Sequence, residues 1–134
     1  KRTMHTLNAY MVFKNDKPYL VGATPGGDRQ IAWNAQVISN VIDHGLDPQE
    51  AVEAPRWTST PGTDPANVDD PFVLELEGGM AIEEVAKLKT KGHEVDVKET
   101  GGYGGSVKLI MIDPETGVRI AGSDPRTDGY AAVV

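Results

Sequence analysis

Residues 20–45, LVGATPGGDRQIAWNAQVISNVIDHG, run from an apolar strand through two adjacent glycines straight into an amphipathic helix. Ile31, Ala35, Ile38 and Ile42 recur at helical spacing, and Val37 and Val41 widen the same stripe. Asp28 fits an N-cap and Gly45 a residue just past the last turn. Backbone N–H groups at a helix start have no intrahelical partner and lie at the positive end of the dipole. Glycine there lets a ligand approach the main chain and permits positive φ. TPGGD, Thr24–Asp28, therefore has the physics of an anion site, whether for a phosphate, a carboxylate or a developing oxyanion. The same residues also make an ordinary turn followed by an N-cap, and local chemistry leaves both readings open. The pair is neither a dinucleotide fingerprint, which needs a third glycine, nor a P-loop, since no Gly-Lys-Ser/Thr follows.

Outward from this stretch, hairpins dominate. Ala9–Phe13 and Pro18–Ala23 read as strands joined at Asn15-Asp16, a dipeptide suited to a tight turn. LDPQEAVEAPRW, Leu46–Trp57, reads as a short helix with Pro48 in its first position and Pro55 stopping it. Thr58–Asp70 is polar and rich in Pro, Gly, Asp and Thr, which predicts a long loop. FVLELE (72–77) is a predicted strand, Ile82–Lys91 a helix with Ile82, Val85 and Leu88 on one face, and EVDVK (94–98) a short strand. SVKLIMI and VRIAG form a second hairpin around DPETG, and the doubly apolar LIMI predicts a strand covered on both faces. GGYGG, Gly101–Gly105, has no helix after it and reads as a flexible lead-in to that strand. Six strands and three helices of this order imply an α+β fold: a mainly antiparallel sheet with packed helices, in one domain spanning 1–134.

The totals limit function. A chain of 134 residues is long enough to bury a core, and no segment is long and apolar enough to span a membrane. The chain opens on Lys without a leader pattern, as expected of a processed chain or of an engineered segment of a longer one. A net charge of −7 without a basic cluster argues against a nucleic-acid partner. Without cysteine there is no disulfide, thiolate metal site or Cys nucleophile, though the compartment stays open. His5, His44 and His93 stand far apart in sequence, so no metal is expected, and nothing calls for a cofactor.

Two long segments resemble one family. Ala23–Trp57 (ATPGGDRQIAWNAQVISNVIDHGLDPQEAVEAPRW) and Gly122–Ala132 (GSDPRTDGYAA) are similar to segments of the gamma-glutamyltranspeptidases, and the first 21 residues resemble the stretch upstream. Thr58–Gly101 matches only loosely. The resemblance implies an N-terminal-nucleophile hydrolase with a four-layer αββα fold. Such a precursor cuts itself, and the freed N-terminal threonine of the small subunit attacks a gamma-glutamyl amide. Its own α-amine serves as base, and water or an amino acid resolves the acyl-enzyme.

On that resemblance Gly26 and Gly27 match the pair whose amides form the oxyanion hole. His5 and Thr6 fall where the family has a Ser-Ser pair on the donor's α-carboxylate. Thr6 keeps a hydroxyl but His5 does not, a departure that also admits a glutaryl-type acylase. The family's Thr-Thr-His-like nucleophile motif lies upstream of these segments. Thr3 in TMH is not a substitute, because it is not a first residue and Leu7 onward continues into the substrate-loop match. The resemblance therefore implies the C-terminal portion of a small subunit, inactive alone, with the rest of the precursor as partner. A fragment missing neighbouring strands would self-associate. A non-catalytic domain that binds a carboxylate on the glycine pair, or serves in assembly, is the alternative. The remaining candidates read as structural. His44 complements a helix dipole, His93 and Glu83-Glu84 are solvated, Arg56-Trp57 pack with an ion pair, and Asp124, Arg126 and Asp128 form a polar network.

Overall fold

The computed structural model describes residues 6–62, 69–101 and 105–132. The chain divides into two compact units, residues 1–54 with 105–134 and residues 55–104. In the first, β1 (Leu7–Lys14), β2 (Lys17–Pro25), β6 (Lys108–Ile112) and β7 (Arg119–Ser123) form an antiparallel sheet in the order β1-β2-β6-β7. Asn15 and Asp16 turn the β1–β2 hairpin at φ 52 and 61. This left-handed pair suits a two-residue turn that matches the twist of the strands.

Helices α1 (Arg29–Ile42) and α2 (Pro48–Glu53) cover one face of this sheet. Leu20, Val37, Val41, Ala51, Val52, Val107 and Leu109 form the core between them. α2 is short, and its start is held by a capping box. The Asp47 carboxylate accepts the Glu50 N–H at 2.8 Å, and the Glu50 carboxylate accepts the Asp47 N–H at 3.0 Å. α2 lies so close to β7 that a Cβ on Gly122 would overlap the Pro48 carbonyl, which leaves room there for glycine alone.

The helix face differs from the expected stripe. Gln30, Trp33, Asn34, Val37 and Val41 are the buried residues of α1, whereas Ile31 is 74% and Ile42 50% exposed. The helix is apolar on two sides, and the wide indole of Trp33 fixes the buried one. Asp28 occupies the N-cap position but is itself helical and makes no side-chain cap bond. The strand expected to be covered twice is open on one side. Ile110 is 39% exposed and aligned with Val21 and Ala121, while Leu109 faces the core.

In the second unit β3 (Trp57–Thr60), β4 (Val73–Leu76) and β5 (Glu94–Val97) form a sheet in that order, antiparallel then parallel. Helix α3 (Ile82–Thr90) makes the crossover between the parallel pair. β3 occupies part of the expected loop: WTST carries β-branched residues at alternate positions, a polar strand that composition hides. α3 buries none of its residues fully; Ile82 is exposed, and Val85 and Leu88 are half-buried.

Candidate functional site

The glycine pair stands at the exit of β2. Gly26 has φ 138 and Gly27 φ 56, both in the left-handed half of the map that glycine tolerates. Their carbonyls turn into α1, accepting the N–H groups of Arg29 and Gln30 at 3.2 Å each. A planar trans peptide carries its N–H opposite its C=O. With the Gly26 carbonyl turned into the helix, the Gly27 N–H points away from it. Both glycines are exposed, and among the described residues neither amide has a hydrogen-bond acceptor. A Cβ on Gly27 would meet nothing within 4 Å, so that side of the turn is open to an approaching ligand.

Sheet register brings Thr6 to the same place. Leu7 pairs with Pro25 in the antiparallel β1–β2 ladder, so the residue before Leu7 lies beside the residue after Pro25. Thr6 is exposed there. His5, and the Thr3 considered with it, lie outside the described residues. The start of β1 is held to the helix by Asn34, whose Nδ2 donates to the Asn8 carbonyl at 3.5 Å.

Behind the glycines is Trp33, which is 1% exposed. A Cβ on Gly26 would lie 2.8 Å from Cζ3 of the indole, and one on Gly105 would overlap the same atom and come within 2.9 Å of Cη2. The last residue of the GGYGG run thus packs on the indole edge that supports the first residue of the pair. Nothing in the local sequence announces this contact; an indole at the fifth position of a helix reads as core.

Tyr10 sits across the ladder from Gly22, and its hydroxyl is buried without a partner among the described residues. Burial pushes its ionisation up to about 12. In the second unit the Glu77 carboxylate, wholly buried, accepts the N–H groups of Arg56 at 3.0 Å and Gly101 at 2.9 Å. His44 and His93 are exposed. Glu83 and Glu84 are exposed in the first turn of α3. Asp124 and Arg126 form the expected polar network in the C-terminal segment, from which Asp128 stands exposed. Among the described residues no group of three His, Asp or Glu side chains could hold a metal.

Comparison with known proteins places the chain in one class. The sequence profile of the gamma-glutamyltranspeptidases matches residues 1–134. The chain is 37% identical over 136 residues to the glutathione hydrolase-like YwrD proenzyme of Bacillus subtilis, covering 98% of this chain and 24% of that protein. A crystallised gamma-glutamyltranspeptidase mutant of Helicobacter pylori superposes with a TM-score of 0.77 at 33% identity, over 95% of this chain and 64% of that one. Cephalosporin acylase from Bacillus halodurans superposes at 0.78 and 35% identity, over 91% of this chain and 21% of that one. The fold is that of part of an N-terminal-nucleophile hydrolase of the gamma-glutamyltranspeptidase and acylase type, α+β with mainly antiparallel sheet. The chain belongs to the gamma-glutamyltranspeptidase family. It spans about a quarter or less of the length of the curated relatives it matches.

Proposed function

We propose that this chain is the C-terminal portion of the small subunit of a self-processing gamma-glutamyl transferase or hydrolase. Its part in the reaction is to stabilise the oxyanion and to hold the acyl donor. The observation that carries this reading is the exposed pair of amides at Gly26 and Gly27, without acceptors and open on the Gly27 side. A tetrahedral intermediate places negative charge on the former carbonyl oxygen, and preorganised N–H donors lower its energy. Loss of one such donor costs about 2.7–4 kcal/mol in the barrier. Thr6, at the same end of the ladder, offers a hydroxyl to the donor's α-carboxylate, with His5 beside it in sequence. The nucleophilic threonine comes from the remainder of the precursor, which also supplies the second sheet against the open face of the first.

One residue favours a second donor class. His5 replaces a hydroxyl side chain at a position that would hold the α-carboxylate, and the likeness to a cephalosporin acylase supports a frame that admits other acyl donors. A glutaryl amide lacks the α-amino acid head and needs less of that contact.

The test is anilide release from gamma-glutamyl p-nitroanilide by the full-length gene product and by the 134-residue chain. Turnover by the full-length protein and none by the chain is the expected result. Turnover of glutaryl anilide alone would move the assignment to the acylases. Enzyme-level turnover by the isolated chain, abolished by changing one of its residues, would overturn the reading.

A further inference from the structure

We propose that Trp33 is the positioning residue of the glycine pair, its indole edge fixing the Gly26–Gly27 amides where an oxyanion develops. This rests on the oxyanion reading above and deepens it. The two glycines differ in their surroundings. Gly27 faces open space, whereas a Cβ on Gly26 would lie 2.8, 3.3 and 3.6 Å from Cζ3, Cε3 and Cη2 of a fully buried ring. The Gly26 carbonyl is held from the helix side by the Arg29 N–H. Between ring and hydrogen bond the Gly26–Gly27 peptide has two supports, and the direction of the Gly27 N–H follows from them.

Gly105 makes the arrangement tighter. It meets the same three ring atoms from a backbone at φ 105. A ring in contact with two backbones cannot turn to a new rotamer without moving one of them. Sequence spacing hides the relation, since Gly26 and Gly105 stand far apart along the chain yet meet the same ring atoms. Oxyanion donors work by being in place before charge develops, and a displacement of about 1 Å costs on the order of 100-fold in rate.

The experiment uses the full-length gene product carrying Trp33→Phe, Trp33→Leu or Gly105→Ala. It measures kcat and KM for the anilide, the affinity for free glutamate, and the affinity for a boronic acid analogue of glutamate. The tetrahedral boronate places a localised negative oxygen in the oxyanion position, whereas the planar γ-carboxylate of glutamate shares its charge over two oxygens and draws less on those amides. Trp33→Leu is expected to lower kcat about 10- to 100-fold and weaken the boronate in parallel, with KM and glutamate affinity within about threefold. Trp33→Phe, whose shorter ring falls short of the Cζ3 and Cη2 positions that meet the glycines, should give a kcat between wild type and Trp33→Leu. Gly105→Ala, which drives a methyl group into the indole edge, should reproduce the Leu signature and decides the matter if Trp33→Leu does not fold. Variants that melt earlier but keep kcat per folded enzyme and the boronate-to-glutamate affinity ratio would overturn the inference alone. A wild-type protein silent on both gamma-glutamyl and glutaryl anilides overturns the oxyanion reading and this inference with it.

Discussion

Asp124 and Arg126, two residues apart in the C-terminal segment, form a buried ion pair at 3.0 Å that closes the end of α2. Arg126 Nη1 donates to the Val52 carbonyl at 2.9 Å and Nη2 to the Ala54 carbonyl at 3.2 Å, so the guanidinium occupies the acceptors left over by the helix. Asp124 also accepts the Val107 N–H at 3.0 Å. One pair therefore ties the tail, the last turn of α2 and the lead-in to β6 together. Removing either partner of such a pair strands a buried charge, at about 3–5 kcal/mol. Arg126→Ala and Asp124→Ala should each lower the denaturant midpoint by the corresponding amount. A double variant less destabilised than the sum of the singles is the expected signature of the coupling.

The asymmetry between the glycines predicts unequal damage. Gly27→Ala adds a methyl group in open space, at a left-handed φ that costs an L-residue about 1–2 kcal/mol. Gly26→Ala forces a methyl group onto the Trp33 ring at a φ that alanine rarely adopts. In the full-length enzyme kcat should fall on the order of 100-fold for Gly26→Ala and about tenfold or less for Gly27→Ala. Equal losses would show that the indole does not distinguish the two positions.

Tyr10 supplies a prediction in pH. Its phenol ionises near 12 in the folded chain, against an ordinary value of 10.0, because burial disfavours the phenolate. A raised value means that this group's contribution to stability is complete below pH 10 and is lost as pH climbs through about 12. Tyr10→Phe removes the titration and a hydroxyl without a partner. The variant should be at least as stable at neutral pH and lose less stability between pH 10 and 12 in urea titrations.

The open face of the four-stranded sheet predicts association. Leu7, Met11 and Phe13 are 66%, 51% and 59% exposed, and Ile110 lies on the same face. The isolated 134-residue chain should self-associate at micromolar concentration by light scattering, and Met11→Lys with Ile110→Lys should shift it toward monomer. A clean monomer for the unaltered chain would contradict this.

Much of this architecture is legible in the sequence, and the exceptions share a cause. Both hairpins, α2 with its Pro48 start and the location of α1 follow from turn residues and periodicity, because each is decided by neighbours along the chain. Which side of α1 faces inward does not, since isoleucines mark one side and Trp33 the other, and the choice depends on the strands beneath. β3 hides because Thr-Ser-Thr resembles loop composition until Leu74 and Leu76 pair with it. At the candidate site the glycines stand out on local physics, and their assignment to an oxyanion hole comes from family resemblance. The Trp33 support lies beyond both, because a ring touching residues 26 and 105 is a fact of packing alone.

The four-stranded sheet also sets an order of assembly. β1–β2 is closed by a two-residue turn and β6–β7 by the short segment 113–118, so both hairpins form from local contacts. Their union is different: β2 pairs with β6 only after both helices and the whole second unit have been synthesised between them. Loop closure over that distance is entropically costly, and it grows cheaper once the intervening unit has compacted and shortened the effective loop. Joining of the two hairpins is thus the late, slow event, and until it occurs β2 and β6 each present an unpaired edge to other chains.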